Sequence, residues 1–376
     1  MAESLQFITA IPWNVRLGSG CYVGTKTLVE GLRCLGARVS LITPRINLHV
    51  FTATRLLFNE TLRFRDLKGL ATVGIDADGY SIAGRMKSVP HAACIKGVLG
   101  DAVRFESGAT RASLALHAKL EAMHARRADL VITISRYCAG RLEELYGVKG
   151  ASVVPEVIDL DAWRRLFRMN PATPDPRKFT VLSVCRFYPR KRLNVLLQAA
   201  AFLRDIIPGL EVRIVGNGPE YRRLHQMHVD LGLEKVVHWL GDLPLSSLAR
   251  EYNRADVFCL PSIQEGFGIV FLEAMAAVKP IVASRAGAVP EVVRNGILVE
   301  PDNPDALAEG LARIYFNPDL RYSLAAAGST DVDRYDVSRI AQKFLLELTK
   351  IAPQVLNLIP SNISGGELAT PGCVRP

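Results

Sequence analysis

Two glutamates, Glu265 and Glu273, bracket the segment Glu-Gly-Phe-Gly-Ile-Val-Phe-Leu-Glu. It begins as a glycine loop, Gly266-Phe267-Gly268, and runs into Ile-Val-Phe-Leu-Glu-Ala-Met-Ala, an apolar stretch that predicts a helix. A glycine loop opening a helix lets backbone N–H groups approach an anion, and the helix dipole favours negative charge at that end. Glu273 falls just over one turn inside the helix, where a carboxylate can turn back and accept hydrogen bonds from hydroxyls. A phosphate site beside a carboxylate that reads diols suits a nucleotide-sugar. Taken alone, the segment also reads as an ordinary βα loop with two solvated glutamates, so its neighbours decide.

Upstream, the strand expected at Phe179–Cys185 runs into Arg186-Phe-Tyr-Pro-Arg-Lys191-Arg192. Two cations where a strand gives way to a helix suit a diphosphate: an arginine fork binds it bidentately and a lysine acts as a point charge. Basic residues are disfavoured at a helix N-terminus, which argues for an anion there rather than a solvated charge run. Val215-Gly216-Asn217-Gly218-Pro219 is a strand ending in a glycine turn, weak evidence by itself. Pro261-Ser262 precedes Glu265, and Ala286-Gly287-Ala288-Val289-Pro290-Glu291 follows the helix.

In this order and spacing, across about half the chain, these motifs resemble the two-glutamate signature of retaining glycosyltransferases with the GT-B fold, family 4 (glycosyl transferases group 1). The resemblance implies Arg186, Lys191 and Glu265 as catalytic residues. It implies Gly216, Gly218, Gly266, Phe267, Gly268 and Glu273 as donor-binding, with Glu273 on the ribose, and neither metal nor cofactor. In the first half, Gly18-Ser19-Gly20-Cys21-Tyr22-Val23-Gly24 opens a helix as a glycine loop suited to a phosphate, so Gly18 and Gly20 join the donor-binding set. That loop lacks a full Gly-x-Gly-x-x-Gly, which weakens a dinucleotide oxidoreductase reading. The chain departs from the family pattern in several places. Cys185 and Arg192 stand at glycine positions, and Lys96 stands where many members carry a histidine near the transferred sugar, which makes it the candidate sugar contact. His91, just upstream, reads as a surface histidine. Glu156 stands where an asparagine often follows proline, and the stretch at Asn295-Gly296-Ile297 is short.

The elements that must position these residues alternate strand with helix throughout, the signature of doubly wound parallel α/β sheets. Strands are expected at Leu5–Ile11, Val39–Thr43, Ala71–Ile75, Ala92–Ile95, Leu130–Ile134 and Ala151–Val154, with helices including Tyr22–Leu35, Gly108–Arg127 and Arg136–Tyr146. A second series covers Phe179–Cys185, Glu211–Val215, Val236–Leu240, Val257–Leu260, Pro280–Ser284 and Ile297–Val299. The expected fold class is α/β, two Rossmann-like domains facing a central cleft. The first, acceptor-side domain spans 1–169, and the proline-rich stretch 170–178 reads as a stiff linker. The donor domain spans 179–330. A C-terminal helix within 331–352, which the resemblance returns to the first domain, precedes a Ser/Gly/Pro-rich tail at 353–376 read as disordered.

At 376 residues and 49% hydrophobic, the chain is long enough for two packed cores. No apolar run reaches the roughly 18 residues of a membrane span, and the N-terminus lacks a signal-type leader. Seven scattered cysteines without metal-ligand spacing suggest reduced thiols and a cytoplasmic setting, with Cys21 alone in a glycine loop where reactivity would matter. The net charge of +9 is spread along the chain with no aromatic–basic platform, which argues against nucleic acid. It reads as a solvated basic surface, with peripheral contact to the anionic inner face of a membrane as the sharper alternative. The partners implied are a nucleotide-sugar donor and a saccharide or glycolipid acceptor. Two rivals stand beside transfer: a GT-B nucleotide-sugar epimerase, and a binding protein that keeps the pocket without turnover.

Overall fold

Runs that are apolar at every position, rather than at alternate ones, become strands buried on both faces of a parallel sheet. The computed structural model describes residues 4–10, 20–46, 48, 50–85 and 88–358. Gly18 and the tail beyond Leu358 lie outside the described residues. The chain divides into two compact units, residues 1–157 with 336–376 and residues 158–335.

The first unit carries β1 (Ser4–Ile8), β2 (Arg38–Ile42), β3 (Ala71–Ile75), β4 (His91–Ile95), β5 (Leu130–Thr133) and β6 (Ser152–Val153) in the order β2-β1-β3-β4-β5-β6. The second carries β7 (Phe179–Val184), β8 (Leu210–Val215), β9 (Val237–Gly241), β10 (Val257–Leu260), β11 (Ile281–Ser284) and β12 (Ile297–Val299) in the order β12-β11-β10-β7-β8-β9. All neighbouring strands pair in parallel. Both units are α/β Rossmann-like layers. In each, the chain reverses its direction of winding once, between β1 and β3 in the first sheet and between β7 and β10 in the second. Ligands in open parallel sheets bind outside the carboxyl ends of the strands at such a reversal.

Residues 160–169, expected within the first domain, form the helix Leu160–Met169 of the second unit. Trp163 and Phe167 pack edge-on against Tyr252, and the Asn253 side chain donates to the carbonyls of Phe167 and Asn170, both at 2.9 Å. The boundary therefore falls before this helix rather than at 170–178. The last helix, Val337–Leu348, belongs to the first unit, where Ile340, Phe344, Leu345 and Leu348 share a core with Leu28, Val29 and Leu32 of the helix Gly20–Cys34. Gly31 permits the close approach, since a Cβ there would collide with Val337. Pro353–Leu358, read from sequence as tail, forms a 3-10 turn with Val355 buried in that core.

Cys21, Cys94, Cys138, Cys185 and Cys259 are free thiols. Among the described residues, no helix is long and apolar enough to cross a membrane.

The helix Ile269–Ala276 ends in a hydrogen-bonded C-terminal motif: Lys279 N–H donates to Ala274 O and Val278 N–H to Met275 O, both at 2.9 Å. The motif demands a left-handed residue, usually glycine, at position 278. Valine sits there with φ +56°, half exposed, although its branched Cβ is disfavoured in that region. Replacing Val278 by Gly should stabilise the protein by about 1 kcal/mol, raising the thermal midpoint by about 2–4 °C. Scanning calorimetry of Val278→Gly against wild type checks this.

Candidate functional site

The reversal in the second sheet places the loops after β7 and β10 side by side. After β7 the chain makes a 3-10 turn at Pro189–Lys191, and after β10 it runs through Pro261–Gly268 into the helix Ile269–Ala276. Ile263 N–H donates to Arg190 O at 2.9 Å and zips the two loops together. Across that zip, Lys191 Nζ pairs with Glu265 Oε1. The carboxylate also accepts from Ser262 Oγ at 2.8 Å, and the Glu265 carbonyl accepts from Ala288 N–H at 2.9 Å. Gly287, at φ +57°, lies against the Glu265 backbone, where a Cβ would clash. Burial pushes the Glu265 acid upward, but the Lys191 ammonium, with Arg190 and Ser262, holds it below the usual carboxylate range. The result is a buried, ionised carboxylate with a part-exposed ammonium, fixed by three loops.

Glu273 lies just over one turn into the helix Ile269–Ala276, buried, with Oε2 accepting from the Tyr252 hydroxyl at 2.8 Å. Burial raises it to about 7, against the lowering effect of the Tyr252 hydrogen bond.

Not every expected site residue joins this cluster. Arg186 turns toward Asp242, with an N–O separation of 3.4 Å, and remains partly exposed. Gly216 and Gly218 have a packing reason of their own: Cβ atoms there would meet Cys185 O and the Phe187 backbone. The loops after β7 and β8 cross at that point, with Phe187 N–H donating to Asn217 O and Glu220 N–H to Phe187 O. Phe267 is buried edge-on against Tyr335, at 5.3 Å between ring centroids. Gly268, at φ +90°, caps the helix and leaves room for the Phe271 ring. Sequence reasoning missed Tyr252, which comes from the helix Leu245–Arg254. Nothing in the spacing of Tyr252 and Glu273 marks them as partners.

The first unit gathers a separate polar cluster at the carboxyl ends of β3 and β4. Asp76 Oδ1 accepts from Lys96 N–H at 2.7 Å, and Cys21 Sγ donates to Asp76 Oδ2 at 3.2 Å. Asp76 has φ +53°, a left-handed conformation outside glycine. Lys96, expected as the sugar contact, instead points its ammonium at Glu156 Oε2, 2.9 Å away, with both side chains 3% exposed. Burial works against the Lys96 charge, but Glu156 more than restores it. Burial, followed by Asp76, pushes the Cys21 thiol well up, so it is not the reactive thiol its loop suggests. Gly20 opens the adjoining helix and is exposed.

His91 is not a surface residue. It is buried at the start of β4, with Nδ1 2.7 Å from Thr72 Oγ1 and Nε2 2.8 Å from His124 Nε2. His124 Nδ1 donates to Asp76 O, so the chain of bonds runs Thr72 to His91 to His124 to Asp76, and burial keeps both imidazoles neutral.

Residues 167–331 match the family model described as glycosyl transferases group 1. Over 218 residues the chain is 31% identical to the GDP-mannose-dependent alpha-(1-6)-phosphatidylinositol monomannoside mannosyltransferase of Mycolicibacterium smegmatis, covering 54% of this chain and 56% of that protein. The chain thus spans about half the length of the curated relatives it matches. Its fold is similar to that of sucrose-phosphate synthase from Thermosynechococcus elongatus, at a TM-score of 0.76 and 21% identity over 95% of this chain and 100% of that one. It is also similar to Anabaena Alr3699/HepE in complex with UDP and glucose, at a TM-score of 0.70 and 18% identity over 93% and 100% of the two chains. The fold class is GT-B, and the match to the glycosyl transferases group 1 model falls within the second unit.

The Lys96–Glu156 pair gives a direct test of its structural role. Lys96→Met should cost about 3–5 kcal/mol by leaving Glu156 buried without a cation, whereas adding Glu156→Leu should recover most of the loss. Denaturant midpoints of wild type, single and double variants check this. If the single variant is as stable as wild type, the ion pair is not what holds this cluster.

Proposed function

We propose that this chain, whose second unit matches the glycosyl transferases group 1 model, is a retaining glycosyltransferase. It would move a sugar from a nucleotide-diphosphate donor to a saccharide or lipid-linked acceptor without a metal ion. The observation that carries the reading is the Lys191–Glu265 pair at the reversal of the second sheet. An ammonium fixed at that point suits the negative charge that builds on a leaving diphosphate, which is the main electrostatic demand of the step. Arg186, partly exposed on the same loop, can swing from Asp242 to share that task. Glu265, ionised and immobile, offers a second carboxylate oxygen to the hydroxyls of the transferred sugar. Glu273 would take the ribose diol, and the backbone N–H groups of the Gly266–Gly268 loop would orient the phosphates.

Retention fits front-face attack, with a donor phosphate oxygen accepting the proton of the incoming hydroxyl. The acceptor is assigned to the first unit. Its Lys96 is committed to Glu156, so sugar contacts would come from other side chains. The names of the relatives favour GDP-mannose with an inositol lipid, while a structural neighbour was solved with UDP and glucose. GDP- and UDP-sugars therefore head the list of donors.

Lys191→Ala should lower kcat by about 100- to 1000-fold, the cost of removing one preorganised stabiliser of the developing charge. The affinity for donor should fall much less. Transfer assays with a GDP- and UDP-sugar panel, run beside thermal midpoints to verify folding, check this. Near-wild-type kcat in a folded Lys191→Ala protein would remove the leaving-group role.

A further inference from the structure

Glu273 is held by a side chain that can serve it in either charge state. The Tyr252 hydroxyl lies 2.8 Å from Glu273 Oε2 and 3.4 Å from Val270 O. Tyr252 itself is fully buried, with Trp163 and Phe167 edge-on and Phe258 stacked against its ring. A phenol has one proton to give and lone pairs to accept with. When Glu273 is ionised, Tyr252 donates to Oε2. When Glu273 is neutral, its own O–H donates to the phenol oxygen, and the phenol proton turns to the Val270 carbonyl. No buried polar atom is stranded in either state.

We propose that Tyr252 is the positioning residue for Glu273: it fixes the carboxylate and sets the pH range over which it grips the ribose diol of the donor. This rests on the donor reading given above. Ribose hydroxyls donate, so the gripping form is the ionised one. With Glu273 at about 7, donor affinity is full at higher pH and falls as pH drops through neutrality. Removing the phenol deletes a donor to the carboxylate and moves the fall to higher pH.

The surroundings leave this pair in control. On the helix Leu160–Met169, Arg164 pairs with Asp333, and Asp161, Arg165 and Arg168 face solvent. From Pro318–Asp331, Arg321 pairs with Asp256, Asp331 pairs with Arg334, and Asp319 and Tyr322 are exposed. In the following turn, Tyr335 packs on Phe267 and under the Arg334 guanidinium. β11 carries no ionisable side chain.

The test is calorimetric titration of the full chain with GDP-mannose and UDP-glucose, whose diphosphate esters carry no proton that titrates near neutrality. Titrations would run about 1.5 units either side of pH 7, spanning the ionisation of Glu273. Wild type should lose affinity toward the acid side, by up to tenfold per unit. Tyr252→Phe should bind about tenfold more weakly at pH 7, with the deficit closing at the alkaline end. Glu273→Gln should bind weakly with a flat profile, and adding Tyr252→Phe to it should leave that profile flat. A Tyr252→Phe protein whose affinity is unchanged, or reduced equally at every pH, overturns the inference, as does an acid-side fall that persists in Glu273→Gln. Failure of wild type to bind either donor at any pH overturns the donor reading and this inference with it.

Discussion

A carboxylate buried beside the carboxyl ends of a parallel sheet must have a cation, and the second unit is arranged around meeting that demand. Glu265 is removed from water on the β10 loop, and the desolvation of such a group costs several kcal/mol unless a charge partner and hydrogen bonds compensate it. Lys191 supplies the charge, Ser262 a hydrogen bond, and Gly287 the space in which the backbone of the β11 loop can close. Only the reversal of winding makes the two residues neighbours, because it puts β7 next to β10 although 74 residues separate Lys191 from Glu265. A pair of this kind contributes little to stability compared with a hydrophobic substitute. Under the donor reading proposed above, its value would lie in holding one charge of each sign, preorganised, for a diphosphate and a sugar.

The first unit shows how two departures from a family pattern can compensate for each other. Lys96 and Glu156, each unexpected alone, lie 2.9 Å apart in the interior, so either without the other would leave a buried charge unpaired. Gly24 completes the arrangement, since any Cβ at that point of the helix Gly20–Cys34 would press on the Glu156 carboxylate. Three positions scattered over the sequence are therefore one packing unit. The ammonium that sequence comparison would aim at a sugar is used inside the protein.

Much of the architecture was legible because parallel strands buried on both faces leave near-continuous apolar runs. All twelve strands among the described residues were expected within a few residues of their observed limits, and Gly108–Arg127 and Arg136–Tyr146 match as helices. The helices Phe51–Leu62 and Leu160–Met169 were not foreseen. The second is strongly two-faced, yet its apolar face is covered by Tyr252, far along the chain, so local pattern could not assign it to a unit. The same limit hid Tyr252 as the partner of Glu273, and His124 as the partner that buries His91. Glu265 and Lys191 were legible as types at a spacing, but their contact depends on strand order, which no local window carries. Gly216 and Gly218 were read as donor-binding, and the constraint the structure displays there is backbone packing against Cys185 and Phe187.

The turn that delivers Lys191 also explains how a residue can stand where a glycine is expected. Arg192 adopts φ +50° and ψ +38° at the entrance to the helix Leu193–Leu203, and Asp302 across from it adopts φ +55°. Each left-handed residue costs of order 1 kcal/mol or more. The two side chains meet in a bidentate pair, with N–O separations of 2.6 and 3.2 Å, and Arg192 also donates to Pro189 O within its own turn. Because this pair is partly exposed, salt screens it and it offsets only part of the strain. It ties the residue that follows Lys191 to the loop after β12, while the Ile263–Arg190 hydrogen bond ties the residue before it to the loop after β10. A glycine would satisfy the backbone without strain but would leave the turn free to move in the absence of ligand. The arginine exchanges that freedom for a turn braced by two neighbouring loops, and under the donor reading proposed above a cation meant for a leaving diphosphate gains most from a position that is settled before the donor arrives.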